Sequence, residues 1–308
     1  MRTAFVQTVN KLAQKDRNLW LLTGDLGFSV LEGFMKNFPK QYLNMGVAEQ
    51  NMIGVAAGLA LSGKTVFVYS IIPFVTLRPY EQIRNDICMQ NANVKLVGVG
   101  EGFSYSQLGP THHSIEDIAA MRSLPNMIVV CPGDPWEAEK ATQAISKIKK
   151  PAYLRLGKKG EPRLHKKDAK FSIGKGILME EGADLTILAT GSMLENAVVV
   201  WKNLQKRGLA GRLISMHTIK PMDKELVIES AKKTRAIFTI EEHSLFGGLG
   251  SAVCEAAVSC ESRHAKIKCF AAPDKIIKEA GSHEYLREAA GLSVNRITKE
   301  IRQYLKER

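Results

Sequence analysis

The chain alternates two kinds of hydrophobic pattern. Short β-branched or apolar runs at Leu19–Leu22, Tyr42–Asn44, Thr65–Ser70, Val94–Val99, Met127–Cys131 and Ala152–Leu156 read as strands. Between them, apolar positions recur at three- and four-residue spacing over Thr3–Ala13, Glu49–Leu61, Pro79–Gln90, Ile115–Arg122 and Pro135–Ile148, which read as helices. Ser114 with Asp117 three residues on resembles a capping box, and Asp134 before Pro135 puts a cap ahead of a proline at the first helical position. Near-continuous apolar strands alternating with helices imply a parallel sheet covered on both faces.

Between Gly157 and Ile173 the pattern lapses into a Lys-, Gly- and Pro-containing stretch and then resumes. Strands are expected at Leu185–Ala189, Gly211–Ser215, Arg235–Thr239 and Ile267–Phe270, with helices near Leu194–Arg207, Asp223–Ala231, Gly250–Cys260 and Val294–Lys306. A single eight-fold barrel uses a similar alphabet, but a charged linker after its sixth unit is out of place there. The expectation is therefore α/β, with two doubly wound parallel-sheet domains over residues 1–165 and 175–308.

Composition narrows the class. At 308 residues, 45% hydrophobic and 24% charged, the chain can bury a core without a disulfide or metal staple, and it holds no apolar run near the ~20 residues of a membrane span. The start, MRTAFVQTVNKL, does not read as a secretory signal, so a cytoplasmic location is expected. Five cysteines, Cys88, Cys131, Cys254, Cys260 and Cys269, show no Cys-x-x-Cys spacing and read as free thiols. The net charge of +12 gathers partly in Lys147, Lys149, Lys150, Lys158, Lys159, Arg163, Lys166, Lys167 and Lys170. No stacking aromatics interleave with these cations, so the segment reads as a solvated linker and not as a nucleic-acid surface.

Three turns carry chemistry-bearing residues. Glu49 opens a helix that follows a strand, and the segment from Ile53 to Ser62 contains no charge. A carboxylate in a first helical turn is favourable with the helix dipole alone. Its neighbours Val47, Ala48, Met52 and Ile53 are apolar, however, a setting that favours the protonated, hydrogen-bond-donating form. His112 lies in the loop beyond Val94–Val99, at the end of a parallel strand where open α/β sheets place ligand-facing groups. Asp25 likewise follows Leu19–Leu22, in a turn that Gly24 and Gly27 make possible. No metal-ligand spacing accompanies the histidines, and no metal site is assigned to this chain.

Taken in order, TGDLG, NMGVAEQNMIGVAAGLALSG, LGPTHHSIEDIAAMRSLPNM, CPGD, YLRLGK and EEHSLFGGLG resemble the pyrimidine-binding and C-terminal domains of the transketolase family, over essentially the whole chain. The resemblance implies thiamine diphosphate as cofactor. It implies that Glu49 hydrogen-bonds the pyrimidine and promotes proton loss from the thiazolium C2, and that an aromatic ring, Phe74 or else Tyr80, stacks on the pyrimidine. Asp25 falls among the cofactor-binding positions, and His112 faces the reacting sugar. Arg2, Ser29 and Arg155 match positions that contact the sugar phosphate, and a guanidinium's fixed fork of donors suits that group.

Two features depart from the family's pattern. Leu108 stands where transketolases often have an acidic residue four positions before the histidine, so this wall is expected to favour a deoxy, branched or otherwise modified sugar. Gly100 and Glu101 stand where transketolases carry a histidine and deoxyxylulose phosphate synthases an arginine. The family's Gly-Asp-Gly and downstream Asn, which hold the Mg²⁺ diphosphate, are also not found. The resemblance therefore implies the second subunit of a split transketolase, paired with a separate diphosphate-binding subunit in a two-fold heterotetramer. Rival readings are a 1-deoxyxylulose-5-phosphate synthase-like enzyme, the beta subunit of a 2-oxo acid dehydrogenase, or a non-catalytic binding protein with this fold.

Overall fold

The structure, a computed structural model, describes residues 1–158, 160–166, 168–258 and 265–306. The first half supplies strands β1 (Leu19–Thr23), β2 (Tyr42–Asn44), β3 (Thr65–Ile71), β4 (Val94–Val99), β5 (Ile128–Val130) and β6 (Ala152–Leu156). The second supplies β7 (Ile177–Glu180), β8 (Leu185–Ala189), β9 (Gly211–Ser215), β10 (Thr218–Lys220), β11 (Ala236–Ser244) and β12 (Lys266–Ala272). They form a seven-stranded sheet of order β10-β5-β6-β4-β3-β1-β2 and a five-stranded sheet of order β12-β11-β8-β9-β7.

Both sheets are parallel except at one edge each. β10 runs antiparallel to β5, and β7 antiparallel to β9. Neither edge strand stands out in the hydrophobic pattern, because three or four residues are too few to display a period of two. β10 also crosses over: it follows β9 of the second sheet in the chain and completes the first.

The central strands show why the first sheet is covered on both sides. Val66 and Val68 of β3 pack into one core cluster, while Phe67 and Tyr69 pack into another. Successive side chains of a strand point to opposite faces, so this split is the signature of a sheet buried between two helical layers. On one of those layers the helix Glu49–Leu61 buries Glu49, Met52, Ile53, Ala56, Ala57 and Ala60, one stripe at three- and four-residue spacing.

Local chemistry decides several element boundaries. Asp134 caps the helix Pro135–Lys147 by accepting the Glu137 N–H at 2.7 Å, and its other oxygen accepts from Leu164 N. Ser114, by contrast, caps nothing: its backbone pairs with Gly102, its hydroxyl is buried without a partner, and the helix begins at Asp117. The expected helix Pro79–Gln90 is a short helix at Tyr80–Gln82 that runs into a wide π-helical segment, Ile83–Met89. A separate helix, Ile72–Thr76, precedes it. Short helices at Glu32–Asn37 and His283–Ala289 are likewise not signalled by periodicity. The expected helix Gly250–Cys260 is observed as Leu249–Val258; Cys260, Lys159 and Lys167 lie outside the described residues.

Candidate active site

The site is assembled from the carboxyl ends of parallel strands. Glu49 follows β2, Phe74 and Arg78 follow β3, Tyr105 and His112 follow β4, and Lys158 follows β6. Loops at that end of an open α/β sheet face one another across the strand order, which is why residues remote in sequence meet here.

Glu49 begins its helix and is only 4% exposed. An Arg78 Nη1 stands 3.2 Å from both of its carboxylate oxygens. The same guanidinium lies 4.0 Å from the centroid of the Phe74 ring, so one cation bridges a buried carboxylate and an aromatic face. The purely apolar flank expected for Glu49 is thus corrected: Val47 is 72% exposed, and the nearest charged group is an arginine. Arg78 lies in the break between two helical segments, immediately before Pro79.

The Phe74 ring meets the His112 ring edge-on, with centroids 5.1 Å apart, and Tyr105 approaches His112 at 6.3 Å. Burial, and then the nearby Arg78 charge, hold the His112 imidazole below its ordinary value, so the ring is biased toward the neutral form. Its Nδ1 pairs with the Thr111 hydroxyl at 3.0 Å. The adjacent His113 turns inward against Phe103 instead. Val47, Ala48, Glu49, Gln50, Asn51 and Arg78 line an open groove of about 600 Å³.

Asp25 is exposed, with a left-handed φ of 55°; its N–H donates to Asn44 Oδ1 at 3.0 Å, and Asn44 Nδ2 donates back to its carboxylate at 3.1 Å. Asn44 also accepts from Gly46 N, so Asp25 helps tie the β1 turn to the turn that launches Glu49. Arg2 lines a separate cavity of about 170 Å³ with Tyr69, Ser70 and Tyr105. Ser29, exposed at φ 61°, has its N–H bonded to Glu32 and does not line that cavity. Leu108 is 53% exposed and lines a third cavity, of about 390 Å³, with Lys158 and His283, away from Glu49.

Three sequence assignments are corrected. Arg155 is 1% exposed and cannot meet a phosphate: Nε donates to Asp117 at 2.8 Å, Nη1 to Glu101 at 2.9 Å, and Nη2 to the carbonyls of Ser114 and Glu242. It is the centre of a buried network joining the two halves. Tyr80 packs on the core and donates to the Ala120 carbonyl at 3.1 Å, so Phe74 alone of the two aromatics stands at Glu49. Glu101 is fully buried, not a wall of the site: it pairs with Arg155 and accepts from Ser192 N, while burial pushes its carboxyl up to about 7 against the pull of Arg155.

Arg78, Tyr105 and Lys158 do not stand out in the sequence. The signal that could have found Arg78 is Pro79, which marks a helix boundary just where a long side chain must turn out. Lys158 falls within the basic linker, yet its Nζ stands 4.6 Å over the Tyr105 ring. Among the described residues no group of three or more His, Cys, Asp or Glu could hold a metal ion.

Known proteins resemble both halves of the chain. Residues 1–161 match the family model of the transketolase pyrimidine-binding domain, and residues 174–297 that of the transketolase C-terminal domain. The chain is 36% identical over 307 residues to an apulose-4-phosphate transketolase subunit of Phocaeicola vulgatus, covering 99% of this chain and 97% of that protein. It is also 36% identical to the 6-deoxy-6-sulfo-D-fructose transketolase subunit SqwH of a Clostridium species, covering 97% and 92%. A solved structure described as a split gene transketolase, inactive beta4 tetramer, superposes with a TM-score of 0.89 at 36% identity over 99% of this chain and 97% of that one. From the motifs, the two sheets and these matches, the chain belongs to the transketolase family and carries that family's pyrimidine-binding and C-terminal domains.

Proposed function

We propose that this chain is the second subunit of a split transketolase, which transfers a two-carbon ketol unit from a phosphorylated ketose to an aldose. The observation that carries the reading is the convergence of Glu49, Phe74 and His112 from three different strand ends, with Arg78 bridging Glu49 to the Phe74 ring and that ring meeting His112 edge-on. A buried carboxylate beside an aromatic face suits an aminopyrimidine, so the residues present fit that half of thiamine diphosphate. Among the described residues no acidic cluster suits the Mg²⁺ diphosphate, and that role is assigned to a separate partner subunit. The relatives, themselves named as transketolase subunits, support such a division.

When bound, thiamine diphosphate supplies the nucleophilic carbon of the transfer. The chain's own residues orient it and handle protons. Glu49 holds the pyrimidine ring nitrogen and shares a proton there, and Phe74 supports the ring face. His112, biased toward neutrality, can accept or return a proton at a substrate hydroxyl. Asp25 steadies the turn beside Glu49, and Arg2 is assigned to the sugar phosphate; Ser29 and Leu108, which line neither the Glu49 groove nor the Arg2 cavity, are given no substrate role. Two copies of each subunit in a closed two-fold assembly complete the enzyme. No helix among the described residues is long and apolar enough to cross a membrane, and a cytoplasmic location follows from substrates too charged to leave the cell unaided.

The test is reconstitution. The purified chain alone should bind thiamine diphosphate weakly in a calorimetric titration with Mg²⁺ and turn over nothing, while the pair should bind tightly and transfer two-carbon units. Tight binding by the chain alone would overturn the division of labour. A pair that binds cofactor but transfers no ketol unit across a survey of ketose donors and aldose acceptors would overturn the reaction. A native mass showing one copy of each chain would overturn the heterotetramer.

A further inference from the structure

Gly100 and Tyr105 occupy one space between them. Gly100 has φ 93°, and a Cβ built on it would lie 2.1 Å from Tyr105 Cε2 and 2.2 Å from Cδ2. The tyrosine ring therefore fills the volume that a side chain at position 100 would need. No residue but glycine allows the ring to sit there, both for the contact and for the backbone conformation.

The ring is placed where it matters for a substrate. Tyr105 lines both the cavity of about 170 Å³ around Arg2 and the cavity of about 390 Å³ around Lys158 and His283. Each cavity has its own cation, and Lys158 sits over the ring itself at 4.6 Å. Tyr69 and Ser70 of β3 also line the smaller one. The Arg2 guanidinium gives this cavity a fork of donors that suits an anionic group. The Tyr105 ring centroid is 6.3 Å from that of His112, so the partition stands immediately beyond the reacting centre.

We propose that Tyr105, accommodated by Gly100, is a specificity-determining residue: its ring is the wall between two anion-accepting cavities and selects short aldose phosphates, whose phosphate reaches Arg2, over longer ones. This rests on the transketolase reading above. The physical basis is excluded volume. A cavity of this size takes a phosphate with a short carbon chain, and a longer chain must extend into the Lys158 cavity, through space the ring now fills. Gly100→Ala and Tyr105→Ala thus address the same wall from its two sides.

The experiment uses the reconstituted pair with thiamine diphosphate, Mg²⁺ and one ketose donor. Specificity constants are measured for glyceraldehyde 3-phosphate, erythrose 4-phosphate and ribose 5-phosphate. Dissociation constants are measured in parallel for the unreactive glycerol 3-phosphate and ribitol 5-phosphate. Wild type should favour the three- and four-carbon acceptors. Tyr105→Ala should raise the five-carbon to three-carbon ratio about tenfold or more, in rates and in binding alike, and Gly100→Ala should shift it in the same direction. Tyr105→Phe, which keeps the ring, should retain the wild-type order. Unchanged ratios in Tyr105→Ala, or an equal shift in Tyr105→Phe, would overturn the proposal. Should Tyr105→Ala fail to assemble, Tyr105→Val carries the same expectation. A wild-type pair that binds cofactor but transfers no two-carbon unit would instead refute the underlying reading, so the two failures are distinct.

Discussion

Arg78 holds Glu49 through both carboxylate oxygens at 3.2 Å while lying 4.0 Å from the centroid of Phe74. In this arrangement the guanidinium occupies the two partners, a carboxylate and an aromatic face, that an aminopyrimidine needs. A planar cation and a planar heterocycle compete for one place.

Cofactor binding must then displace Arg78. A half-exposed ion pair and a cation–π contact together are worth about 1–2 kcal/mol, roughly five- to thirtyfold in affinity. Arg78→Met in the reconstituted pair should therefore bind thiamine diphosphate more tightly by about that factor, as read by calorimetry. Weaker binding would mean that Arg78 contacts the bound cofactor.

The carboxyl role of Glu49 has its own probe. Glu49→Ala should leave the helix Glu49–Leu61 intact, since the buried stripe below it is unchanged, yet slow hydrogen–deuterium exchange at the cofactor C2 in the assembled enzyme. Loss of a positioned acid–base group costs on the order of 10²–10⁴ in rate. Exchange as fast as in wild type would make Glu49 a helix-dipole residue only.

His112 links the two. Burial and Arg78 both lower its proton affinity, so in the free chain its ring should titrate below the ordinary 6.5 when followed by NMR. Removing the cation in Arg78→Met should move the midpoint upward, toward the ordinary value, because one of the two causes is gone while burial remains. A downward or absent shift would place Arg78 away from His112 in solution.

Arg155 separates a structural arginine from a phosphate ligand. Arg155→Met leaves Asp117 and Glu101 buried without their shared cation, a loss of about 3–5 kcal/mol in denaturant unfolding of the full chain. KM for the sugar phosphate should stay within about threefold of wild type wherever the variant folds and assembles. A large rise in KM with little change in stability would return Arg155 to the substrate site.

Glu49–Leu61, β4, β6, β8 and β9 are legible residue for residue in the sequence, because each is long enough or apolar enough for its period to show and its neighbours agree with it. Glu49 and His112 are legible as candidates, since each follows a recognisable strand and strand ends are where such sheets gather function, whereas Phe74 enters only through the family resemblance, with Tyr80 as its alternative. What the sequence could not reveal is burial and direction. Arg155 and Lys158 stand three residues apart in one motif, yet the first points into a buried network and the second over Tyr105. A strand period of two relates neighbours to a sheet's two faces, not to the cavity beyond its end. Arg78 and Tyr105 likewise carry no periodic signature, for both sit in irregular backbone. Arg78 meets Glu49 only because the sheet brings two strand ends together, and Tyr105 meets Gly100 only through the path of the loop beyond β4, so the tertiary structure alone decides what lines the site.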